Sequence, residues 1–292
     1  MRIIKRSNIH ILGKNKKMKT IKNKKVLITG GARGIGKQIA IEFAKNGAHI
    51  IICDLDKSFF NKDYFSEHTK DITKFGVNCY GYHLDVSNYN NISKTRKIIN
   101  NDIGEIDILV NNAGIVFGGN FLDISIEQHR KTYDVNTQGI VNMMHIFLQD
   151  LIKQKESHII NIASASGFTA LPNGATYASS KAAVTNLSES LINELKQNKI
   201  NHVGMTIVCP AYVNTGMFDG VKEPLFIPML KPEKLAYKIV RAVSKNKRFV
   251  LEPAFIKFIP LLKALTPYFF FDFLGKILGG YSSMNFWTGR KK

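Results

Sequence analysis

A tyrosine and a lysine four residues apart, Tyr177 and Lys181, have the residue types of an acid–base pair. On a helix this spacing places both side chains on one face. A phenol with a pKa of about 10 is a poor acid–base catalyst at neutral pH until a neighbouring cation stabilises its phenolate, and an ammonium group is such a cation. By itself the pair is a weak signal, because most tyrosines and lysines at this spacing are ordinary members of amphipathic helices.

Two further polar residues would come close to this pair in a parallel sheet. Ser164 follows an apolar run at residues 158–163 that we predict to be a strand, and ligands of open α/β sheets bind at the carboxyl ends of strands. A hydroxyl there would donate to a substrate carbonyl beside the phenol, and Ser166 is an equally small rival. Asn136 stands among apolar residues of a predicted helix, where its plainer interpretation is a buried amide with satisfied hydrogen bonds.

A glycine-rich turn, Thr29 to Gly36 with the sequence TGGARGIG, joins a predicted strand at residues 26–29 to a predicted helix. Glycines let the backbone approach a pyrophosphate, while the helix N-terminus offers N–H groups and a favourable dipole. Similar turns also serve tight packing alone. The context favours the cofactor interpretation, since another predicted strand ends in Asn111 to Gly114, whose small side chains would let the chain pass close to a dinucleotide.

Acidic residues follow the second and third predicted strands. Asp54 ends the second strand, where a carboxylate can accept hydrogen bonds from both adenosine ribose hydroxyls and would repel a 2′-phosphate. This favours NAD(H), although Arg33 in the glycine turn would allow NADP(H) by pairing with that phosphate. Asp85 ends the third strand and is either a neighbour of the adenine or a helix cap.

The elements that must position these residues alternate along the chain. Short β-branched runs alternate with longer helical patterns from Lys25 to about Val213, which predicts an α/β fold with one doubly wound parallel sheet and helices on both faces. Strands are expected at residues 26–29, 49–53, 78–84, 108–111, 158–163, 203–209 and 248–251, and helices at 36–46, 126–154, 176–197 and 232–244.

Taken together, these motifs resemble the short-chain dehydrogenase/reductase family. The glycine turn, Asp85, Asn111 to Gly114, Asn136, Ser164, Tyr177 and Lys181 fall in that family's order and spacing over residues 24–215. The resemblance implies a Rossmann-type fold and hydride transfer between a nicotinamide and a secondary alcohol or ketone, without a metal. It also implies a homodimer or homotetramer.

The resemblance assigns a role to each catalytic residue. Tyr177 would protonate the nascent alkoxide in reduction or deprotonate the alcohol in oxidation. Lys181 would lower the pKa of the phenol and hold the nicotinamide ribose. Ser164 would orient the carbonyl, and Asn136 would hold a water that links Lys181 to solvent. The cofactor contacts that we predict are Gly30, Arg33, Gly34, Ile35, Gly36, Asp54, Asp85, Val86, Asn112, Ala113, Gly114, Tyr177, Lys181, Pro210, Val213 and Thr215.

One residue departs from the family's pattern. Ala211 stands after Pro210, where the family usually has glycine, and this questions the local turn because alanine disfavours positive φ. Residues 216–229 occupy the position of the family's substrate lid. Their apolar side chains predict an apolar, lipid-like or steroid-like substrate, although a lid that packs on its own protein has the same pattern.

The charge is unevenly distributed along the 292 residues. The formal net charge is +19, and residues 1–25 contain ten Lys or Arg and no acid. We therefore predict a basic N-terminal extension at residues 1–23, either a solvated tail or a stretch ahead of a start at Met18, followed by a dehydrogenase domain at 24–252. Charge alone predicts no specific nucleic-acid partner. No uncharged apolar run of signal-peptide length follows the basic start, which favours a cytoplasmic protein.

The remaining tail, residues 253–292, is apolar and basic. Lysines, Asp272 and two prolines interrupt its apolar runs, so it does not have the pattern of a transmembrane helix. Two interpretations stay open: broken amphipathic helices on a membrane surface, or an arm that covers the substrate pocket or a partner subunit.

The leading functional hypothesis is an NAD(P)-dependent oxidoreductase acting on CH–OH groups of an apolar substrate. A related enzyme, a reductase of 3-oxoacyl groups on an acidic carrier protein, would use the positive surface of the chain. From another class, a dinucleotide-sensing or scaffold protein would keep the fold without turnover, but the intact Ser164, Tyr177 and Lys181 argue against it.

Overall fold

Seven strands and nine α-helices are found in the computed structural model, which describes Met18 and residues 20–225 and 227–289. The strands are β1 (Lys25–Thr29), β2 (His49–Asp54), β3 (Cys79–His83), β4 (Ile108–Asn111), β5 (Ser157–Ile162), β6 (Val203–Pro210) and β7 (Phe249–Glu252). The helices are α1 (Gly34–Lys45), α2 (Lys62–Thr73), α3 (Tyr89–Asp102), α4 (Ile126–Tyr133), α5 (Gly139–Lys153), α6 (Ala175–Gln197), α7 (Pro232–Ser244), α8 (Ile259–Leu265) and α9 (Tyr268–Ile277).

The strands form one parallel sheet in the order β3-β2-β1-β4-β5-β6-β7. Successive side chains point to opposite faces, so Ile28 and Leu27 of β1 belong to two separate apolar clusters. The first cluster packs under α1, α2 and α7, and the second under α3, α5 and α6. The predicted doubly wound α/β fold is confirmed, and the strand edges differ from the predicted ones by at most one residue.

The helix predicted at residues 126–154 is interrupted. A capping box between Ser125 and Gln128 starts α4, and a π turn at Asp134–Gln138 separates α4 from α5. Such turns insert one residue into a helix and recur at functional sites. Periodicity could not reveal it, because the apolar pattern is similar on both sides of the turn. The π turn carries Asn136, whose side chain is fully buried.

The buried part of the chain begins before the predicted domain boundary at residue 24. Met18 and Ile21 are buried in the first apolar cluster, and the Asn23 N–H donates to the Gly47 carbonyl oxygen over 2.8 Å. These apolar residues lie between lysines, so the charge pattern concealed them. Residues 1–17, which hold the rest of the predicted extension, lie outside the described residues.

After β7 the chain forms a short 3₁₀ turn, Ala254–Phe258, and then α8 and α9. In the described part of the chain, none of the helices has the length and apolar character needed to cross a membrane. Helix α7 matches its predicted bounds, while β7 lies one residue later than predicted.

Candidate active site

The glycine turn lies at the carboxyl edge of the sheet, between β1 and α1. Gly30 and Gly34 adopt φ values of 61° and 58°, a region that disfavours residues with a Cβ. A Cβ on Gly36 would stand 2.3 Å from the Gly30 carbonyl oxygen, so only glycine fits there. No side chain caps the N-terminus of α1. The turn therefore presents bare backbone at a helix N-terminus, which suits a pyrophosphate.

Thr29, which we did not predict as a site residue, holds the turn against the neighbouring loop. Its hydroxyl accepts hydrogen bonds from the N–H groups of Asn112, over 3.0 Å, and Ala113, over 3.1 Å. In return the Asn112 amide donates to the carbonyl oxygens of Thr29 and Gly30, both over 2.9 Å. These hydrogen bonds fix the glycine turn and the loop after β4 relative to each other, and both segments would hold the dinucleotide.

Asp54 and Arg33 face different surroundings. One carboxylate oxygen of Asp54 accepts from the Ala32 N–H over 3.1 Å and the other from the Asp56 N–H over 3.3 Å, so the carboxylate is held at the end of β2. Arg33 is exposed. Together with the dominant hydrogen bonds from Ser58, its positive charge lowers the pKa of Asp56.

A cleft of about 290 Å³ runs along this edge. All the predicted cofactor contacts line it except Gly36, which is buried beneath the turn. Asp85 lines the cleft and is also a turn residue, because its carboxylate accepts from the Ser87 N–H over 2.9 Å and from the Ser87 hydroxyl over 2.6 Å. The sequence did not indicate several further lining residues, Leu55, Leu84 and Lys131, whereas Met217 and Phe218 belong to the predicted lid. The bare glycine turn and the Asp54 carboxylate fit a dinucleotide.

Tyr177 lies at the inner end of the cleft and is almost completely buried. Burial raises the pKa of Tyr177 to about 12, and a hydrogen bond with Ser164 opposes this increase. The Ser164 hydroxyl accepts from the Ser166 N–H over 3.2 Å and lies 2.9 Å from the Ser166 hydroxyl. Of the two candidate serines, Ser164 therefore contacts the phenol, and Ser166 forms hydrogen bonds with the Ser164 hydroxyl.

Lys181 lies on the same face of α6 as Tyr177, as predicted. Its ammonium donates to the Ile162 carbonyl oxygen over 2.8 Å and lies 5.8 Å from the centre of the Tyr177 ring. Burial lowers the pKa of Lys181 to about 8. In this geometry the hydrogen bond from Ser164, rather than the charge of Lys181, is what opposes the raised pKa of the phenol.

Asn136 has a structural role in this geometry. Its amide donates to the Ile115 carbonyl oxygen over 2.9 Å and accepts from the Ile115 N–H over 2.8 Å. It also donates to the Ser180 hydroxyl over 3.1 Å. Asn136 is therefore a buried amide with satisfied hydrogen bonds that fixes the loop after β4. A Cβ on Gly114 would stand 3.2 Å from the Asn136 oxygen and 3.5 Å from the Lys181 nitrogen. Gly114, the Asn136 amide and the Lys181 ammonium therefore lie next to one another.

A second cavity, of about 570 Å³, lies on the other side of Tyr177. Ser164, Tyr177 and Phe218 line one end of it, and α8 and α9 form the far wall. Phe218 contacts Tyr177 edge-on with ring centres 5.7 Å apart, and both side chains also line the cleft. Among its other lining residues, apolar side chains predominate: Leu171, Leu225, Ile227, Phe258, Leu262, Phe271 and Leu274.

The last described residues, 282–289, pack on the lid; we call them the strap. The Lys222 N–H donates to the Ser283 carbonyl oxygen over 3.0 Å, and the Trp287 indole N–H donates to the Met217 carbonyl oxygen over 3.0 Å. Ser283 also contacts the Tyr212 hydroxyl at 2.7 Å. Met284 is buried in one cluster with Tyr177 and Phe218. No motif in the sequence indicates this role.

The substitution at Ala211 is accommodated. Ala211 is not among the residues with positive φ, and its N–H donates to the Glu252 carbonyl oxygen over 2.7 Å. The turn after Pro210 therefore needs no glycine, and the doubt that Ala211 raises about this turn is not confirmed. Pro210, Val213 and Thr215 still reach the cleft.

A doubly wound parallel sheet with a dinucleotide cradle next to a buried tyrosine, serine and lysine defines a nicotinamide-dependent oxidoreductase. The family model for short chain dehydrogenases matches residues 24–225, and the chain belongs to this family. It is accordingly an NAD(P)-dependent oxidoreductase acting on CH–OH groups.

Known relatives match nearly the whole chain. Epidermal retinol dehydrogenase 2 from Mus musculus is 30% identical over 287 residues, covering 97% of this chain and 90% of the relative. Human short-chain dehydrogenase/reductase 3 is 33% identical over 276 residues, covering 94% and 89%. Human estradiol 17-beta-dehydrogenase 11 is 31% identical over 252 residues, covering 86% and 82%. A Burkholderia phymatum family member crystallised with NAD superposes with a TM-score of 0.75 at 24% identity, covering 85% of this chain and 95% of that one.

Proposed function

We propose that the protein interconverts an apolar alcohol and its ketone or aldehyde, with a secondary alcohol as the preferred substrate. The observation that carries this proposal is the second cavity, whose walls are almost entirely apolar and which ends at Tyr177 and Ser164. A cavity of this kind binds a ligand mainly by burying apolar surface, with a few polar groups that fix its orientation. The names of the relatives agree, since retinol and estradiol are both apolar alcohols.

The chain's own residues would perform the proton chemistry. Tyr177 keeps its proton at neutral pH, because burial favours the neutral phenol. It is therefore ready to protonate an alkoxide formed at the end of the cavity. The hydroxyl of Ser164, which contacts the phenol, would orient the substrate oxygen towards it. A nicotinamide bound in the cleft supplies or accepts the hydride.

Lys181 and Asn136 support this chemistry. Lys181 would bind the nicotinamide ribose through its buried ammonium, which reaches the cleft. On this proposal the Lys181 ammonium moves towards the phenol only when cofactor and substrate are bound, since in this structure it donates a hydrogen bond to the Ile162 carbonyl oxygen. The buried Asn136 side chain keeps the loop beside Lys181 in place, and the water-binding role implied by the family resemblance stays a prediction.

NAD(H) is the cofactor that we propose. The backbone of Ala32 and Asp56 holds the Asp54 carboxylate at the end of β2, where it would repel a 2′-phosphate. Arg33, the residue that would favour NADP(H), contributes to the low pKa of the nearby Asp56. Asp54→Ser should therefore raise the rate with NADP relative to NAD. Arg33→Ala should leave the preference for NAD over NADP unchanged, and faster turnover with NADP than with NAD in the unaltered chain would contradict this assignment.

The direct test is a panel of substrates read by nicotinamide absorbance with NAD and NADP in parallel. It includes cyclohexanol, straight-chain secondary alcohols of increasing length, estradiol and retinol. Specificity should rise with chain length, because each buried methylene contributes about 0.8 kcal/mol. A preference for a 3-oxoacyl group on carrier protein would favour the alternative reductase, and no turnover with any compound would favour a sensing or scaffold role.

A further inference from the structure

Helix α9 is apolar on two opposite faces. Its inner face contributes Phe271 and Leu274 to the wall of the second cavity. Its outer face carries Phe269, Phe273 and Ile277, spaced four residues apart along one stripe and all exposed. A helix that is apolar all round is normally buried on all sides. The outer stripe of α9 is therefore a surface that lacks a cover within the described part of the chain.

Helix α8 extends the same surface. Leu261 and Leu265, again four residues apart, are exposed, and Leu265 and Phe269 expose 74% and 76% of their surface. Six of the exposed apolar side chains of these two helices define what we call the docking face: Leu261, Leu265, Tyr268, Phe269, Phe273 and Ile277. Exposed apolar side chains that adjoin one another mark an interaction site, whereas scattered ones do not.

The charges near the docking face favour an anionic lipid surface over a second copy of this basic chain. Lys257, Lys263 and Lys276 are exposed on the same segment, and the Lys257 ammonium lies 4.7 Å from the centre of the Phe258 ring. Asp272 is the single acid among residues 253–289, and its carboxylate accepts a hydrogen bond from the Tyr281 hydroxyl. Aromatic and aliphatic side chains flanked by lysines are typical of helices that lie in the headgroup region of a bilayer.

The second cavity opens on this side of the molecule. Phe258, Leu262 and Leu278 line the cavity and are also exposed, as is Leu225 of the lid. A side chain that is both exposed and part of a cavity wall lies at the mouth of that cavity. Leu262 lies on α8, Phe258 directly precedes α8 and Leu278 directly follows α9, so the mouth adjoins the docking face.

We propose that the docking face inserts into the headgroup region of an anionic bilayer and that the substrate enters the cavity from the lipid. An apolar alcohol dissolved in that bilayer would reach Tyr177 along the apolar walls without crossing water. This inference rests on the proposed function, since it requires that the cavity bind an apolar substrate. It also explains why α9 is apolar on two faces, because one face lines the cavity and the other would contact lipid.

Vesicle binding of the full chain tests the docking face. The variants are Leu265→Glu and Phe269→Glu, which lie outside the cavity wall, and the control is Leu122→Glu, a residue 93% exposed before α4 and outside the docking face. The full chain should float with vesicles of equal parts phosphatidylcholine and phosphatidylserine. Each docking-face variant should bind at least about tenfold more weakly, because burying one large apolar side chain contributes about that much. The control should bind like the unaltered chain.

Kinetics with two substrates separate the inference from the proposed function. The variants should lose activity on the longest active secondary alcohol carried in vesicles but keep their activity on cyclohexanol in water. Unchanged vesicle binding in both variants would overturn the proposed insertion of the docking face into the bilayer. The same conclusion would follow if the variants altered the oligomeric state, measured by light scattering, without any change in vesicle binding. Weaker binding with unchanged turnover of the vesicle-borne alcohol would overturn entry from the lipid. Failure of the unaltered chain to oxidise either alcohol would instead count against the proposed function.

Discussion

Burial sets the acid–base properties of the two titratable groups at the centre of the site. It raises the pKa of Tyr177 to about 12 and lowers that of Lys181 to about 8, because a buried environment disfavours the charged form of each. The sequence identified both residues and Ser164, since the motif that carries them is local. It missed Thr29 and Trp287, whose hydrogen-bond partners are 83 and 70 residues away along the chain.

Replacing Tyr177 with Phe should abolish turnover. The phenol is the proton donor in the proposed reaction, and general acid–base catalysis contributes about 10²–10⁴-fold to a rate. NAD binding, measured by the fluorescence of NADH, should persist because the glycine turn is unchanged. Tyr133→Phe is the matched control, since its hydroxyl contacts Ser179 outside the cavity. Substantial activity of Tyr177→Phe would contradict the acid–base role.

Lys181 should make stability depend on pH in a predictable direction. Its pKa falls from 10.5 in the unfolded chain to about 8 in the folded one, so the unfolded state binds more protons between these values. The cost of the buried ammonium is complete below pH 8 and disappears towards pH 10.5. Relative to Lys181→Met, the unfolding free energy of the cofactor-free protein should therefore rise by on the order of 3 kcal/mol over this window. Urea denaturation measures this difference, and parallel pH curves would contradict it.

At the scale of elements, the common fold was predictable and the tail was not. Apolar strands that alternate with helices have few packing solutions, and the parallel sheet is one of them. The apolar tail was compatible with a membrane surface or with a pocket cover, and α9 takes part in the cavity wall on one face while it exposes the other. Composition alone cannot separate these roles, because both require the same side chains.

The strap should hold the lid over Tyr177. Trp287→Ala removes the hydrogen bond to Met217 and the packing of the indole ring against Gly118. We expect kcat/KM for the apolar alcohol to fall roughly tenfold to hundredfold, mainly through KM, because small displacements of positioning residues are costly. NAD affinity should fall less than this, because Met217 is the cleft residue that loses its hydrogen-bond partner while the glycine turn and Asp54 are unchanged. The neighbouring Phe286→Ala is the control, since this side chain is 69% exposed, and an equal loss in both variants would argue against a specific role of Trp287.

At the scale of the whole molecule, the positive charge divides between residues 1–17 and the rest of the chain. Six of the 41 Lys and Arg residues lie in residues 1–17, so the formal net charge would fall from +19 to +13 without them. Met18, which is buried, would then be the first residue. The cofactor cleft and the second cavity are built from later residues.

Deleting residues 1–17 should leave a folded, active enzyme that binds polyanions more weakly. Each removed cation lowers the salt dependence of binding to a phosphate backbone. Elution from heparin should therefore require less salt, while turnover of cyclohexanol should stay the same. Unchanged retention on heparin would place the polyanion-binding charge in residues 18–292 instead.

The π turn at Asp134–Gln138 bears on where the helical stretch of residues 126–153 can gain or lose a residue. Each residue of an α-helix advances the side chains by about 100° around the axis, so a deletion within α4 or α5 would rotate one end of the helical stretch against the other, and Thr132, buried on α4, would turn away from its contacts. A deletion within the π turn would instead be absorbed, because the turn already holds one extra residue, but Asn136 would lose its position beside Ile115. Natural insertions and deletions in this family should therefore be rare in residues 126–133 and 139–153.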